Sequence, residues 1–274
     1  MKLEQPAPGV GVIATEVDVR GMSAQEWDRL YQAWLAHSML VVRGQHLEIE
    51  QFLDFGRRFG RVKPHRVRKS RHQEYPELTV MGVGTKKADG TKNDSVYNRG
   101  VSWHTDGPWD DEPCKATQLY GLEIPSYGGD TLFSNMYMAY DALPDALKQR
   151  IAGLDANYVY GGRKRIGVDL LEPEDQVRPP TRYSLVRVHP ETGRKSLYFN
   201  PFHIQKIADL PEPESDALIE ELTGHLVAPQ ADYRHKWQRG DLVVWDNRCT
   251  IHSATGGYPI EEKRVHWRCT IMDA

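Results

Sequence analysis

Three potential metal ligands lie far apart in this chain and constrain its fold more than any other feature. His104 and Asp106 occur together in the run Trp103-His104-Thr105-Asp106, whereas His252 lies much further along the chain. Two imidazoles and one carboxylate can occupy one face of an octahedral metal and leave the other three positions open. If the three residues share one ion, the fold must bring two distant segments to a single rigid point.

Two further residues suit a metal with open positions. Arg264 follows His252, and Thr131 ends the run Gly128-Gly129-Asp130-Thr131. An iron with three open positions needs a co-substrate to supply electrons, and a dicarboxylic keto acid needs a cation and a hydroxyl for its far carboxylate. Arg264 and Thr131 would supply both groups.

The motifs together resemble those of the 2-oxoglutarate-dependent dioxygenases related to taurine dioxygenase and dichlorophenoxyacetate dioxygenase. The resemblance implies Fe(II) on His104, Asp106 and His252, with 2-oxoglutarate and O2 as co-substrates and with succinate and CO2 released. It also implies that Arg264 and Thr131 bind the distal carboxylate of 2-oxoglutarate. The matching segments cover nearly the whole chain: residues 59–60, 103–106, 128–131, 189–195, 245–248, 252 and 264–268.

The resemblance extends to an anionic substrate. His65 occupies the position at which taurine dioxygenase places a histidine against the substrate sulfonate, and Arg268 matches the arginine that pairs with the same anion. The family's tyrosine three residues beyond that histidine is Arg68 in this chain, and the family's asparagine four residues before the first ligand is Gly100. We therefore do not expect taurine itself to be the substrate.

Two aromatic residues suggest what the rest of the substrate looks like. Trp109 occupies a position where the family often has an aromatic residue facing the substrate, and Phe202 is expected opposite it. Together with Arg68 they predict an apolar or aromatic body that carries a carboxylate, sulfonate or sulfate. The alternatives are that Arg68 is solvated and that Phe202 belongs to the core.

The strand pattern predicts a mainly β fold with flanking helices. Short strands separated by turns favour a sandwich or barrel over an alternating βαβ sheet, and the resemblance implies a double-stranded β-helix, the cupin-like jelly-roll. Ser23 and Glu26 form a predicted capping box, and Pro144 is expected to restart a helix. We predict one domain, residues 1–274, with strands at 10–19, 39–43, 116–124, 130–134, 185–188, 197–200, 241–245 and 265–272, and helices after residue 23 and at 49–59, 136–151 and 214–226.

Charge and hydropathy exclude several classes of protein. The net charge is −3 and the isoelectric point is near 6.4, so no positive field recruits nucleic acid or an anionic membrane. The apolar stretches are too short to cross a bilayer, no signal peptide is recognisable, and three cysteines suit a reducing compartment. We expect a cytoplasmic protein whose partner is a small anionic molecule, and assembly into a homo-oligomer stays open.

Several segments have two interpretations. The basic stretch 61–102 is either a solvated face or a lid, and residues 160–181 predict an insertion loop. Trp245 is expected to pack the barrel, and Asp246 with Arg248 to form a structural ion pair or a turn. The remaining histidines match no ligand position and are predicted at the surface or in turns: His37, His72, His189, His203, His225, His235 and His266.

Two other functions compete with the oxygenase hypothesis. A cupin-like hydrolase or isomerase would hold zinc on the same three residues, but a tetrahedral zinc with one water would give Arg264 and Thr131 no dicarboxylate to bind. A non-catalytic jelly-roll binding protein would be expected to lose a ligand, and none is missing. Because halogenating relatives lack the carboxylate that Asp106 supplies, the resemblance implies hydroxylation, with or without a following cleavage.

Overall fold

Two antiparallel sheets form the centre of the molecule. The computed structural model describes residues 1–82, 86, 89–91, 93–97, 100–226 and 232–273. The larger sheet has eight strands. Seven of them follow the order β1 (Lys2–Glu4), β2 (Val12–Thr15), β3 (Met39–Val42), β14 (Leu242–Asp246), β6 (Ala116–Glu123), β16 (Val265–Met272) and β4 (Arg61–Lys63). The eighth, β5 (Thr79–Met81), also pairs with β16. Only β2 and β3 pair in parallel within it.

The smaller sheet faces the inner side of the larger one. It has the order β13 (Asp232–His235), β7 (Thr131–Asn135) and β15 (Thr250–Ala254). Phe133 of β7 packs in one buried cluster with Met39, Leu119 and Val243, which belong to the larger sheet. Because side chains alternate across a strand, their neighbours Leu40, Tyr120 and Val244 lie on the other face, in a cluster of their own.

Two small sheets and seven α-helices complete the described part of the chain. The outer cluster receives Trp34 from the first helix and Phe52 and Leu53 from the second. The helices are α1 (Ala24–His37), α2 (Ile49–Arg57), α3 (Asp94–Tyr97), α4 (Met136–Asp141), α5 (Asp145–Ile151), α6 (Pro173–Gln176) and α7 (Glu212–Gly224). One small sheet has three strands in the order β12 (Ile204–Ile207), β8 (Asp155–Tyr158) and β9 (Thr181–Ser184). The other pairs β10 (Val186–Val188) with β11 (Lys195–Leu197).

The predicted mainly β architecture with flanking helices is confirmed, as is the capping box, in which Ser23 accepts from the Glu26 backbone and Glu26 accepts from the Ser23 backbone. Pro144 separates α4 from α5 as expected. Eight of the sixteen described strands were not predicted: β1, β4, β5, β8, β9, β12, β13 and β15. β15, which carries His252, is buried along almost its whole length, and such strands lack the alternation that identifies a half-buried strand.

The two ambiguous segments contain regular structure. The basic stretch 61–102, for which a solvated face and a lid were both open, falls partly outside the described residues; its described part contributes β4, β5, α3 and a 3₁₀ turn at Arg68–Ser70. The predicted insertion loop includes α6 and a second 3₁₀ turn at Val168–Leu170. No helix in the described part of the chain is long and apolar enough to cross a membrane.

Candidate active site

The three predicted metal ligands converge between the two facing sheets. His252 lies in β15, and His104 pairs with it as a single bridge in which each backbone N–H donates to the other carbonyl, at 2.9 and 2.8 Å. Asp106 Oδ2 lies 3.8 Å from His252 Nε2. One ligand atom from each of the three residues lies within 4.8 Å of the others. The backbone bridge therefore joins the two distant segments at the point where their side chains meet.

Local hydrogen bonds orient the two imidazoles. His104 Nδ1 is 2.6 Å from the Ser102 carbonyl oxygen. Because a carbonyl can only accept, Nδ1 carries the proton and the lone pair of Nε2 is available to a metal. Burial lowers the pKa of His252 to about 3. Both histidines can therefore present neutral nitrogen ligands.

Asp106 is held as a carboxylate by a cation and a hydroxyl. Its Oδ2 accepts a hydrogen bond from Thr117 Oγ1 at 2.7 Å, and its Oδ1 lies 3.1 Å from Arg268 Nη2. Burial alone would raise the pKa of Asp106, but Arg268 and the two histidines hold it well below its usual range. The site therefore contains one permanent negative charge.

Asn247 braces this cluster, a role that the sequence did not reveal. Its Oδ1 accepts from the Asp106 backbone N–H at 3.2 Å and from Trp245 Nε1 at 3.1 Å, while its Nδ2 donates to Thr117 Oγ1 at 3.0 Å. One amide thus ties the first ligand loop to β14 and β6. Trp245 is buried, as predicted, and its ring centroid lies 4.6 Å from that of His252.

The donor set suits Fe(II). Two imidazoles and one carboxylate form the facial arrangement that leaves three positions open on an octahedral ion. In the described part of the chain, no fourth histidine, cysteine, aspartate or glutamate joins the set. A closed structural zinc site would need a fourth protein ligand. The residues therefore fit a metal that also binds exogenous ligands.

Arg264 is a desolvated cation that pairs with no acidic side chain among the described residues. Its Nε donates to the Gly129 carbonyl at 2.7 Å, which is its only hydrogen bond within the described residues. Burial lowers the pKa of its guanidinium to about 10. Thr131 lies two residues beyond Gly129 and is buried, and its Oγ1 accepts from Trp237 Nε1 at 3.0 Å. The structure thus places both predicted co-substrate residues around one turn.

That turn needs glycine for two reasons. Gly128 and Gly129 adopt φ values of 71° and 66°, in the left-handed region that costs little only for glycine. A Cβ on Gly129 would lie 2.8 Å from Arg264 Cδ and 3.2 Å from the Tyr258 ring. The Gly-Gly pair therefore lets the turn approach the arginine.

An aromatic wall lies beside His104. The ring centroid of Phe202 is 6.4 Å from that of His104, and His203, at the same distance, packs between Phe202 and Trp109 with centroids 4.6 and 4.1 Å away. Trp109 Nε1 is buried and has no hydrogen-bond partner among the described residues. Phe202 and Trp109 are thus brought to the ligand cluster, and His203 joins them although its sequence context carried no such signal.

His65 and Arg68 are placed differently. His65 is half-buried; its Nδ1 accepts from the Val67 backbone at 3.2 Å and its carbonyl accepts from Arg71 Nε at 2.6 Å. Arg68 is exposed and forms an ion pair with Glu174 at 3.0 Å. The structure therefore does not bring Arg68 to the ligand cluster.

A cavity of about 780 Å³ opens beside Arg264. Its wall includes Ala254, two residues beyond His252, and Tyr258. Lys69 and Arg71 add two cations to the same wall, whereas Glu74 is its only acidic residue among those described. The approach to Arg264 is therefore positively charged, although the chain as a whole is slightly acidic.

The prediction that the remaining histidines lie at the surface or in turns is wrong for His189, His235 and His266, whereas His203 is buried but lies in a turn. His189, His203, His235 and His266 are all buried. His189 Nε2 lies 3.0 Å from Asp246 Oδ2, and His235 Nε2 lies 3.1 Å from Asp241. The residues next to a histidine in the sequence do not show which carboxylate it will bond to in the fold, so burial of this kind could not be predicted from the local pattern.

The predicted Asp246–Arg248 ion pair is present. Arg248 Nη2 lies 2.6 Å from Asp246 Oδ2, and both side chains are buried. Arg248 Nη1 also pairs with Glu191 at 2.8 Å. The network lies on the outer side of β14 and has a structural role.

Comparisons with known proteins agree with this geometry. A family model described as "Taurine catabolism dioxygenase TauD, TfdA family" matches residues 3–270. The chain is 31% identical to a (S)-phenoxypropionate/alpha-ketoglutarate-dioxygenase from Sphingobium herbicidovorans over 95% of this chain and 91% of that protein. It is 34% identical to an alpha-ketoglutarate-dependent 2,4-dichlorophenoxyacetate dioxygenase from Cupriavidus pinatubonensis over 86% of this chain and 85% of that protein.

A solved structure shows the same architecture. The crystal structure of a taurine dioxygenase from Burkholderia xenovorans superimposes with a TM-score of 0.82 at 28% identity, covering 100% of this chain and 89% of the other. The predicted jelly-roll core is therefore confirmed.

Proposed function

We infer from membership of this chain in the taurine catabolism dioxygenase TauD, TfdA family that it is a 2-oxoglutarate-dependent dioxygenase oxidising a small anionic organic molecule. The observation that carries the inference for this chain is the convergence of His104, Asp106 and His252 within 4.8 Å. The two relatives described above are named as dioxygenases, which favours oxidation over the competing hydrolase, isomerase and binding-protein hypotheses. We further propose a single domain over residues 1–274, working in the cytoplasm, where its three buried cysteines stay reduced.

We assign Fe(II) to His104, Asp106 and His252. With 2-oxoglutarate and O2 bound, the iron supplies the oxidising power, and succinate and CO2 are released. His104 and His252 contribute neutral nitrogens, and Asp106 contributes one charge that Arg268 partly balances. Thr117 and Asn247 hold the Asp106 loop in place, which fixes the angle between the ligands.

We assign the distal carboxylate of 2-oxoglutarate to Arg264 and Thr131. Arg264 has no acidic partner of its own among the described residues, and its approach is lined by cations. The Thr131 hydroxyl accepts from Trp237, so its own proton is available to donate to an anion. A guanidinium and a hydroxyl then bind one carboxylate.

We propose that the substrate anion binds Arg268, with His65 nearby, and that Trp109 and Phe202 contact its apolar part. Arg268 uses Nη2 for Asp106, whereas its Nη1 is buried without a hydrogen-bond partner in the described structure. Arg68 is left out of this proposal because Glu174 holds it at the surface. Aromatic or alkyl carboxylates, sulfonates and sulfates fit this combination, and the net reaction is hydroxylation, with or without cleavage of the product.

The function is tested by a spectrum and a product assay. Anaerobic addition of Fe(II) and 2-oxoglutarate should produce a weak visible charge-transfer band, because a keto acid chelates ferrous iron. Under O2, one or more anions from a panel of aryloxyacetates, arylsulfonates and alkyl sulfates should trigger succinate formation. His104→Ala and His252→Ala should abolish both signals. A colourless complex with confirmed iron occupancy would contradict the co-substrate assignment.

A further inference from the structure

His266 is a buried histidine on the inner face of β16, midway between Arg264 and Arg268. Its neighbours Trp267, Cys269 and Ile271 pack in the outer cluster. Because side chains alternate along a strand, His266 faces the interior with Arg268, and an irregularity in the register between Val265 and His266 separates this run from Arg264. The side chain of His266 is completely buried.

Neither ring nitrogen of His266 has a hydrogen-bond partner among the described residues. His189 and His235, which are equally buried, each bond to a carboxylate. A buried polar group that stays unsatisfied destabilises the fold, so such groups almost always have a partner. No described residue fills this role for His266, so its ring nitrogens are available to a ligand.

The surroundings of His266 indicate which ligand that is. Its ring packs edge-on against Trp237, with centroids 4.4 Å apart, and the Trp237 indole N–H donates to Thr131 Oγ1 at 3.0 Å. Burial, with Arg264 nearby, holds the pKa of His266 well below its usual range, so the ring is neutral. It therefore offers one N–H donor beside the cation and the hydroxyl to which we assign the distal carboxylate.

A carboxylate has capacity for this additional donor. Its two oxygens accept about four hydrogen bonds. The Nε–H of Arg264 already donates to the Gly129 carbonyl, so only the terminal N–H groups of Arg264 can donate to the carboxylate. Thr131 supplies a single hydroxyl proton. A third donor can be accommodated without competition.

We propose that His266 is a co-substrate-binding residue that donates a ring N–H to the distal carboxylate of 2-oxoglutarate, beside Arg264 and Thr131. The proposal rests on the proposed function, since it presumes that 2-oxoglutarate is bound. It assigns to His266 a role in selecting a keto acid with a second carboxylate.

Calorimetry on the Mn(II)-loaded protein tests this with two ligands, 2-oxoglutarate and 2-oxopentanoate, which lacks the distal carboxylate. His266→Phe keeps a planar ring but no donor, and should weaken 2-oxoglutarate about 10- to 100-fold while changing 2-oxopentanoate by less than about twofold, as expected for a hydrogen bond to a charged group. His266→Gln keeps an N–H and should recover most of the loss. His225→Phe, at the end of α7, is the matched control and should change neither affinity.

Two outcomes would overturn the proposal. Unchanged affinity of His266→Phe for 2-oxoglutarate would show that the ring makes no such bond, and an equal loss for both keto acids would show that it acts through packing. If the phenylalanine variant does not fold, His266→Met replaces it in the same comparison. Failure of the parent protein to bind 2-oxoglutarate would instead contradict the proposed function itself, and this inference with it.

Discussion

Three buried or half-buried arginines near the site differ in the anions that surround them. Arg248 pairs with Asp246 and Glu191, and Arg268 pairs with Asp106 through one nitrogen. Arg264 pairs with no carboxylate among the described residues. Removing a desolvated cation from its anion costs several kcal/mol, because the remaining charge is left without a partner. The difference in pairing therefore separates a structural arginine from two that can receive ligands.

Replacing Arg264 and Arg268 should give crossed effects. Arg264→Ala should weaken 2-oxoglutarate binding by roughly 2 to 4 kcal/mol, the scale for a buried charge that loses its partner. Arg268→Ala should instead raise the KM of the substrate, or uncouple succinate formation from product formation, with 2-oxoglutarate affinity nearly unchanged. The measurements are calorimetric titration of 2-oxoglutarate and steady-state kinetics on a turned-over anion.

A neutral amide of that substrate serves as the control for the pair. It should be a poor substrate for the parent protein and should lose little more in Arg268→Ala, since the interaction is already absent. Efficient oxidation of the amide by the parent protein would contradict the anionic contact with Arg268.

Among the elements, the Gly128–Gly129 turn sets the position of Arg264, the residue before β16. Gly129 accepts the Arg264 Nε–H through its carbonyl and has no room for a Cβ against Arg264 and Tyr258. On the other side, Gly82 faces the Arg264 backbone, where a Cβ would lie 1.7 Å from its carbonyl oxygen. The Gly128–Gly129 turn and Gly82 thus pack closely against Arg264 and restrict the conformation of its side chain.

Gly129→Ala and Gly153→Ala separate this contact from backbone strain. Both positions have positive φ, 66° and 79°, but a Cβ on Gly153 would meet nothing within 4 Å. Each variant should lose about 1 kcal/mol of unfolding free energy from the left-handed conformation. Only Gly129→Ala should also lose 2-oxoglutarate affinity, because it displaces Arg264. Equal 2-oxoglutarate affinity in the two variants, measured by the same titration, would contradict the role of the turn.

At the scale of the whole molecule, a network of ionisable side chains connects β14 to helix α1. His189, Asp246, Arg248 and Glu191 form one network, and Tyr31 of α1 donates to Glu191 at 2.6 Å. Burial would raise the pKa of Asp246, but the hydrogen bonds from Arg248 and His189 lower it. Stability that depends on this carboxylate is present above its unfolded pKa and is lost as the pH falls through its folded one.

Mild acid should destabilise the protein before these carboxylates titrate. Burial lowers the pKa of His235 and of His266, so both bind protons more readily after unfolding than in the folded chain. Since the unfolded state then binds more protons, the free energy of unfolding falls as the pH drops below about 6.5, by roughly 1 kcal/mol per histidine and pH unit. Urea denaturation at pH values between about 7.5 and 5 measures this slope, and His266→Phe should make it shallower. A stability that is constant or rises over this range would contradict the prediction.

The sequence by itself determined the architecture and predicted which residues carry the chemistry. His104, Asp106, His252, Arg264 and Thr131 stand in motifs whose residue types and order are specific, and the capping box, the Pro144 break and half of the strand positions follow from local patterns. These features depend on residues close together in the chain, or on motifs that keep their order, and so they can be recognised without coordinates.

Only the tertiary structure decided which side chains contact each other. Arg268 meets Asp106, Asn247 braces the ligand loop, His203 joins the aromatic wall and Arg68 turns to Glu174 at the surface. The burial of His266 is a similar case, because the sequence around a histidine does not say which strand will cover it. Each of these contacts joins side chains from segments that are distant in the sequence. Such contacts form only when the chain folds, and so the local sequence does not reveal them.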